Sequence, residues 1–197
     1  MSPDQSESLV IDASVAINFL GTGMAGRLFG MLDCPILMAD RTFKEIQRHP
    51  LRGHDHGKEL EDLLAAGHLS VKELDDVSKE LFFDLTSADL TGGLDDGEAA
   101  AIALAASLGK SAVAVVDDRK ARNLLLRRWP QQRVLYSIDL FTYDRIGRAV
   151  PRSQLAEAIY SALRHARMRV PAARRSWVND LIGADRVKEC PSLGTRA

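Results

Sequence analysis

A short apolar segment that ends in two acids constrains this chain more than any other feature. Residues 113–116 read Val-Ala-Val-Val, and Asp117 and Asp118 follow before a basic stretch begins at Arg119. A Val-rich run of this length is typical of a strand that is buried on both faces of a parallel sheet. Open α/β sheets build their binding sites at the carboxyl ends of such strands. Residues 9–12, Leu-Val-Ile-Asp, repeat the pattern, so two buried strands are each predicted to end in acid.

Strand and helix signals alternate along the chain. This alternation predicts an α/β fold with a central, mostly parallel sheet. Five strands are predicted, at residues 8–11, 35–39, 69–74, 112–116 and 134–136. After the last strand, helices are predicted at residues 138–146, 153–167 and 172–182. We expect the main domain at residues 8–150, a helical extension packed on it at 151–187, and flexible ends at 1–7 and 188–197.

The composition predicts a soluble protein in a reducing compartment. With 197 residues, 46% hydrophobic and 27% charged, the chain can bury a core. No apolar run approaches the roughly 20 residues of a transmembrane helix, and the N-terminus lacks the basic and apolar regions of a signal peptide. The two cysteines, Cys34 and Cys190, form neither a disulfide framework nor a metal-ligand spacing. A cytoplasmic location without membrane contact is therefore expected.

The net charge of −1 hides an asymmetry along the chain. Residues 1–118 carry 9 Lys and Arg against 21 Asp and Glu, whereas residues 119–197 carry 17 against 6. An acidic half with candidate metal ligands and a basic half rich in Arg suit a metal site beside a surface for a phosphate backbone. The same counts are equally compatible with solvated helix faces whose Arg side chains pair with acids elsewhere.

Five acids stand where a metal site could form: Asp12, Glu45, Glu98, Asp117 and Asp118. Mg²⁺ and Mn²⁺ prefer carboxylate oxygens, and an ion would remove the repulsion among converging carboxylates. Each acid also has a structural explanation. Asp12 and Asp118 could be helix N-caps, Glu98 part of a capping box, and Glu45 an exposed helix charge. Asp12 is the hardest to explain in this way, because it directly follows Leu-Val-Ile.

Taken together, these acids lie in four blocks that resemble PIN-domain nucleases and, within that superfamily, the VapC-type toxins of toxin–antitoxin pairs. The blocks are Val10-Ile11-Asp12-Ala13-Ser14-Val15, Phe43-Lys44-Glu45-Ile46, Gly97 to Ala105 and Val116 to Arg122. The order and spacing of four blocks make the resemblance specific, although no single block would do so. It covers roughly residues 8–150.

The resemblance implies a three-layer α/β/α fold with the strand order 3-2-1-4-5, which places the ends of strands one and four side by side. It implies catalytic, metal-binding acids at four matching positions: Asp12, Glu45, Glu98 and Asp118. Asp117 is close enough to share or replace the role of Asp118 as a metal ligand. Ser14 matches a small hydroxyl residue that orients the site. Two positions depart from the pattern, since Glu98 stands where many such toxins have Asp and Val116 replaces a Thr or Ser.

The implied function is hydrolysis of RNA with Mg²⁺ or Mn²⁺, through a water that the metal activates. Arg119, Lys120 and Arg122 follow the fourth block and could neutralise substrate phosphates, or be solvated and paired with acids. The family further implies an antitoxin partner and a homodimer.

Two other interpretations compete with a ribonuclease. A PIN-like module without catalysis could bind RNA or proteins, but all four acidic positions are filled. A phosphoryl-transfer enzyme with Asp12 as nucleophile is less favoured, because the chain has no second Asp two residues later and no Gly-rich phosphate loop.

Overall fold

A five-stranded parallel sheet forms the centre of the molecule, whose computed structural model describes residues 6–48, 56–87 and 94–193. The strands are β1 (Ser8–Ile11), β2 (Ile36–Ala39), β3 (Ser70–Lys72), β4 (Ala112–Val115) and β5 (Arg133–Leu135). All five predicted strands are present. The third is shorter than predicted, and the fifth begins and ends one residue earlier.

The strands lie in the order β3-β2-β1-β4-β5, and every pairing between neighbours is parallel. The prediction of an α/β fold with this strand order is confirmed. In the register of β1 and β4, Ile11 faces Val115. Asp12 and Asp117 follow these two residues within two positions, so both lie past the same edge of the sheet. Between β1 and β4 the order of the chain reverses, which makes this edge the topological switch point.

Alternate residues of each central strand face two separate cores. In β1, Leu9 and Ile11 belong to one cluster of buried apolar side chains, and Val10 belongs to the other. In β4, Val113 and Val115 join the first cluster. Successive side chains of a strand point to opposite faces, so helices bury the sheet from both sides. This three-layer arrangement explains why the strands are uninterrupted apolar runs.

Helices connect the strands and cover both faces of the sheet. In chain order they are α1 (Ala13–Leu20), α2 (Ala25–Phe29), α3 (Asp40–Arg48), α4 (His56–Ala65), α5 (Asp76–Ser87), α6 (Asp96–Leu108), α7 (Arg119–Arg128), α8 (Ser137–Leu140), α9 (Asp144–Ala149), α10 (Arg152–Ser161), α11 (Ala172–Ile182) and α12 (Ala184–Lys188). A 3₁₀ turn at Gly109–Ser111 precedes β4, and a π-helical turn at Ala162–Ala166 follows α10. Within the described ranges, no helix combines the length and apolar character of a membrane span.

The single helix predicted at residues 138–146 is wrong, because the chain forms α8 and α9 with a turn between them. The backbone N–H of Thr142 donates to the carbonyl of Asp139, and that of Tyr143 donates to Leu140. These bonds span three residues instead of the four of an α-helix. The hydroxyl of Thr142 also donates to the Asp139 carbonyl at 2.7 Å, so a side chain competes for the acceptor that a continuing helix needs.

The C-terminal helices pack on the sheet face that carries Leu9 and Ile11. Leu155 and Leu163 lie in the same buried cluster as these two strand residues. Cys190 and Leu193 are buried there too, although they fall in the stretch predicted as a flexible end. At the opposite end of the chain, Glu7 is buried and pairs with Arg133.

Substitution of Phe19 tests how much the packing of α1 against the core contributes to stability. Its ring is fully buried and stacks on Phe141 with the ring centroids 4.8 Å apart. We expect Phe19→Ala to lower the free energy of unfolding by about 3–5 kcal/mol, because the lost contacts leave a cavity. Urea unfolding measures the change. Phe83→Ala is the matched control: Phe83 is 57% exposed on α5, so its loss should be below about 1 kcal/mol. Equal losses in the two variants would contradict the packing described.

Candidate active site

The carboxyl ends of β1 and β4 bring two buried acids together at the switch point of the sheet. Asp12 directly follows β1, and Asp117 lies two residues past the end of β4. Their exposed fractions are only 2% and 4%. Burial penalises the charged form of a carboxylate, and a nearby negative charge penalises it further. The two acids therefore form an electrostatically unfavourable pair at the place where open α/β sheets hold their ligands.

Asp12 combines a structural role with an uncommitted oxygen. Its Oδ1 accepts the backbone N–H of Val15 and the hydroxyl of Ser14, both at 2.8 Å, so Asp12 is the N-cap of α1. Its Oδ2 accepts no hydrogen bond from the described residues. Burial and then the charge of Asp117 raise the pKa of Asp12 to about 7, despite the two hydrogen bonds. A cation next to Oδ2 would offset both causes.

Asp117 is held in place by a network of buried polar groups. Ser137 donates its backbone N–H to Oδ1 at 2.8 Å and its hydroxyl to Oδ2 at 2.6 Å. Asn18 donates its side-chain amide to Oδ2 at 2.6 Å. Burial still raises the pKa of Asp117, and these hydrogen bonds offset only part of the rise. Because both donor residues are buried, the Asp117 carboxyl group is fixed beside Asp12.

Asp118 is the N-cap of α7 and is more open to solvent than Asp117. Its Oδ1 accepts the backbone N–H groups of Lys120 and Ala121 at 2.7 and 3.0 Å. Its Oδ2 accepts Nη1 of Arg169 at 3.0 Å. Partial burial raises the pKa of Asp118, but these hydrogen bonds and the charge of Arg169 outweigh it and hold the pKa below its usual value. The Asp118 carboxylate therefore forms an ion pair with Arg169, which favours its charged form.

The first turn of α6 carries a further acid to the same region. Asp95 caps this helix by accepting the backbone N–H of Glu98 at 2.7 Å. Burial, followed by the charges of Asp95 and Asp118, raises the pKa of Glu98 to about 7. Glu98 in turn contributes to the raised pKa of Asp12. Glu98 thus interacts electrostatically with both Asp12 and Asp118.

Glu45 reaches this turn from α3. The hydroxyl of Thr42 donates to the carbonyl of Gly97 at 3.0 Å and fixes α3 against the start of α6. A side chain at Gly97 would collide with the carboxylate of Glu45. Glycine is therefore needed at this position if Glu45 is to lie against the turn that carries Glu98.

The donor set fits a hard divalent cation. The side chains of the cluster offer only carboxylate oxygens, the ligands that Mg²⁺ and Mn²⁺ prefer over the softer transition metals. In their present positions, no three His, Cys, Asp or Glu side chains among the described residues are close enough to hold one ion together. Oδ1 of Asp12 and both oxygens of Asp118 are already hydrogen-bonded. Binding of one shared ion would therefore require side chains of the cluster to move closer together and Arg169 to release Oδ2 of Asp118.

The three basic residues predicted to contact phosphate differ in their surroundings. Arg119 is exposed at the start of α7, and Lys120 lies close enough to the acids for its charge to lower the pKa of Glu98. Arg122 points inward, with its guanidinium 3.9 Å from the ring centroid of Tyr136. It also donates to a backbone carbonyl of β5 at 3.1 Å. Arg122 thus holds α7 against β5, whereas Arg119 and Lys120 remain candidates for phosphate contact.

Three polar residues of the site are missing from the sequence prediction: Asn18, Ser137 and Arg169. A signal existed for Asn18, because it is polar within the otherwise apolar end of α1 and lies one helical turn after Ser14. Ser137 follows β5 at the carboxyl edge of the sheet, where polar side chains are expected. Arg169 lies 51 residues after Asp118, and no sequence pattern connects the two.

The raised pKa of Asp12 should make the metal-free protein less stable as the pH rises. The folded chain keeps a proton on Asp12 up to about pH 7, whereas the unfolded chain loses it near 3.8. The unfolded state then binds fewer protons between these two values, so stability falls with rising pH. We expect the free energy of unfolding in EDTA to fall by on the order of 1 kcal/mol per pH unit in this window. Urea unfolding at a series of pH values measures the slope.

Asp12→Asn should make this slope shallower, because one titrating group is gone, while Glu98 and Asp117, whose pKa values are also raised, still contribute. Asn caps helices about as well as Asp, so the variant should fold. Asp180→Asn, on the exposed surface of α11, should keep the wild-type slope. If Asp12→Asn keeps it as well, another group is responsible for the pH dependence.

A family model described as a PIN domain matches residues 8–128. The match covers more than half of the 197 residues and runs from β1 through α7, so it includes all five predicted acids. No curated protein and no solved structure is significantly similar to the chain. PIN domains are in general nucleases, and they usually use divalent metals. The chain, with its parallel sheet and its acids at the switch point, therefore belongs to the PIN-domain family.

Proposed function

We propose that this protein is a divalent-metal-dependent endoribonuclease that hydrolyses phosphodiester bonds in RNA. The observation that carries the proposal is the gathering of buried or partly buried acids at the switch point. Burial, and then the charges of neighbouring acids, raises the pKa of Asp12 and of Glu98 to about 7. Buried carboxylates that repel one another favour a bound cation. Membership of the PIN-domain family adds a general nuclease function.

The residues that would hold Mg²⁺ or Mn²⁺ are Asp12, Glu98 and Asp118, with Asp117 as a fixed charge or a fourth ligand. A divalent ion in such a site supplies a Lewis acid that activates water and stabilises the charge developing on the phosphodiester. Asn18 and Ser137 keep the Asp117 carboxyl group in one position. Ser14 orients Asp12 through Oδ1.

Glu45 has a separate task in this proposal. Its carboxylate lies against Gly97, next to Glu98 in the chain, and it either completes the ligand set or orients the attacking water. A carboxylate within hydrogen-bonding reach of that water could accept its proton.

The substrate side of the site is the start of α7. Arg119, Lys120, Asn123 and Arg127 line a surface groove that begins one residue after Asp118. Residues three and four apart share one face of a helix, so this groove carries a row of positive charge. Such a row suits the phosphates of a nucleic acid chain, because each neutralised phosphate contributes to binding.

Specificity for RNA, a toxin role, an antitoxin partner and a homodimer are included in the proposal because of the resemblance to VapC-type toxins. The competing proposal, a non-catalytic PIN-like module, requires no metal ion. The raised pKa of buried Asp12 favours the nuclease, since a module without a metal would retain this repulsion at neutral pH for no purpose.

Asp12→Asn should abolish metal-dependent cleavage. The change removes the charge of the most buried acid but keeps the helix cap. We expect cleavage of a structured RNA pool in MnCl₂ to fall by at least about 100-fold, because even indirect changes around metal sites cost about 10- to 100-fold. Gel analysis of the RNA with MnCl₂ and with EDTA measures this.

The same variant separates the nuclease from a non-catalytic module. A ligand that binds only the folded state raises the midpoint of thermal unfolding, so MnCl₂ should raise it for the wild type and for the control Asp180→Asn but not for Asp12→Asn. RNA binding without any Mn²⁺ effect on the midpoint would favour the module. Equal cleavage by the wild type and Asp12→Asn would refute the proposed mechanism.

Gly97→Ala tests Glu45 without changing an acid. The added methyl group would collide with the Glu45 carboxylate, which is the end of a flexible side chain and can move away. We expect the free energy of unfolding to change by less than about 1 kcal/mol and cleavage to fall by about tenfold or more. Gly147→Ala on α9 is the control, because its methyl group would meet no atom within 4 Å. Wild-type cleavage by Gly97→Ala would remove Glu45 from the mechanism.

A further inference from the structure

Arg169 brings a positive charge to the acidic crevice from outside the region that the family model covers. Its Nη1 lies 3.0 Å from Oδ2 of Asp118. The neighbouring side chains of Met168 and Val170 are buried, at 1% and 6% exposure, whereas 60% of the Arg169 side chain is exposed. Buried neighbours thus hold the backbone in place on both sides of Arg169. Its side chain is largely exposed to solvent, and the guanidinium group contacts Asp118 at the edge of the acidic cluster.

Asp118 has a single oxygen that is not used to cap α7, and Arg169 occupies it. Oδ1 accepts the backbone N–H groups of Lys120 and Ala121, and withdrawing it would uncap the helix. A divalent ion that binds Asp118 must therefore take Oδ2. The ion and Arg169 compete for the same atom.

The contact between Arg169 and Asp118 is suited to exchange. The two side chains are 60% and 27% exposed, and water competes with ion pairs of this kind, so they contribute little to stability. The planar guanidinium fork of Arg matches two phosphate oxygens at once. Arg169 thus lies beside an acid at the end of β4, where a substrate phosphate would be held.

We propose that Arg169 is a substrate-binding residue, which rests on Asp118 in the free protein and moves to a phosphate of the bound nucleic acid, leaving Oδ2 of Asp118 to a divalent ion. This rests on the proposed function, because the phosphate belongs to the RNA in the crevice. In the free protein, Arg169 lowers the affinity of the site for the ion. A bound phosphate draws Arg169 away, so nucleic acid and ion each strengthen the binding of the other, as linkage requires.

The first test is the affinity of the RNA-free, full-length protein for Mn²⁺, measured by calorimetry with MnCl₂. Arg169→Ala should bind Mn²⁺ about two- to fivefold more tightly than the wild type, the range expected when a partly exposed ion pair no longer competes. Arg175→Ala, which removes an exposed Arg on α11, should match the wild type. In an Asp118→Asn background, Arg169→Ala should leave the Mn²⁺ affinity unchanged, because the shared oxygen has lost its charge.

The second test is RNA affinity in EDTA, measured by fluorescence anisotropy with a fluorescein-labelled single-stranded RNA at several salt concentrations. Arg169→Ala should bind about threefold or more weakly, and the salt slope should shrink by about 0.7, the value for one phosphate contact on a single strand. Arg169→Lys should keep the slope, since it keeps the charge.

Either of two results would overturn the proposal. One is that Arg169→Ala behaves like Arg175→Ala in the Mn²⁺ or the RNA titration. The other is that its effect on Mn²⁺ persists in the Asp118→Asn background, which would indicate a long-range effect of charge. Failure of the proposed nuclease function would give a different result, namely no Mn²⁺-dependent RNA cleavage by the wild type. Neither the Mn²⁺ titration nor the RNA titration depends on cleavage.

Discussion

The parallel sheet brings buried carboxylates close together, and the structure must reduce the electrostatic repulsion between them. The register of β1 and β4 places Asp12 and Asp117 past the same edge, and burial keeps water from both. Hydrogen bonds from Ser14, Asn18 and Ser137 offset part of this cost, yet the pKa of Asp12 remains about 7. Because a fold gains nothing from burying and crowding acids at neutral pH, the arrangement supports the proposal that a cation joins them during function.

In the proposed site, helix capping and metal binding would use different oxygens of the same side chains. Asp12 and Asp118 each give Oδ1 to the backbone at the start of a helix. This brings the N-termini of α1 and α7 to the crevice, where their partial positive charge reduces the repulsion. Oδ2 of Asp12 is left uncommitted and that of Asp118 meets Arg169. The structural and functional interpretations of these acids, which compete when only the sequence is considered, are therefore compatible.

Much of this fold could be predicted because the signals are local. Val-rich runs such as 113–116 identify the buried strands, and Asp12 and Asp118 mark both strand ends and helix starts. The break between α8 and α9 was missed because Thr142 competes for a backbone carbonyl, which helical periodicity does not reveal. Arg122 and Arg169 show a second limit of prediction from sequence. Whether a basic side chain stacks on Tyr136 or reaches an acid 51 residues away depends on tertiary packing that a linear pattern does not contain.

The most direct test of a shared ion is anomalous diffraction from crystals of this protein soaked in MnCl₂. We expect a manganese peak at the carboxyl ends of β1 and β4, in contact with Oδ2 of Asp12 and with the carboxylates of Glu98 and Asp118. Arg169 should then have left Asp118. Manganese bound only elsewhere, or no peak in the crevice while Arg169 keeps its contact with Asp118, would contradict the central claim that these acids hold a divalent cation together.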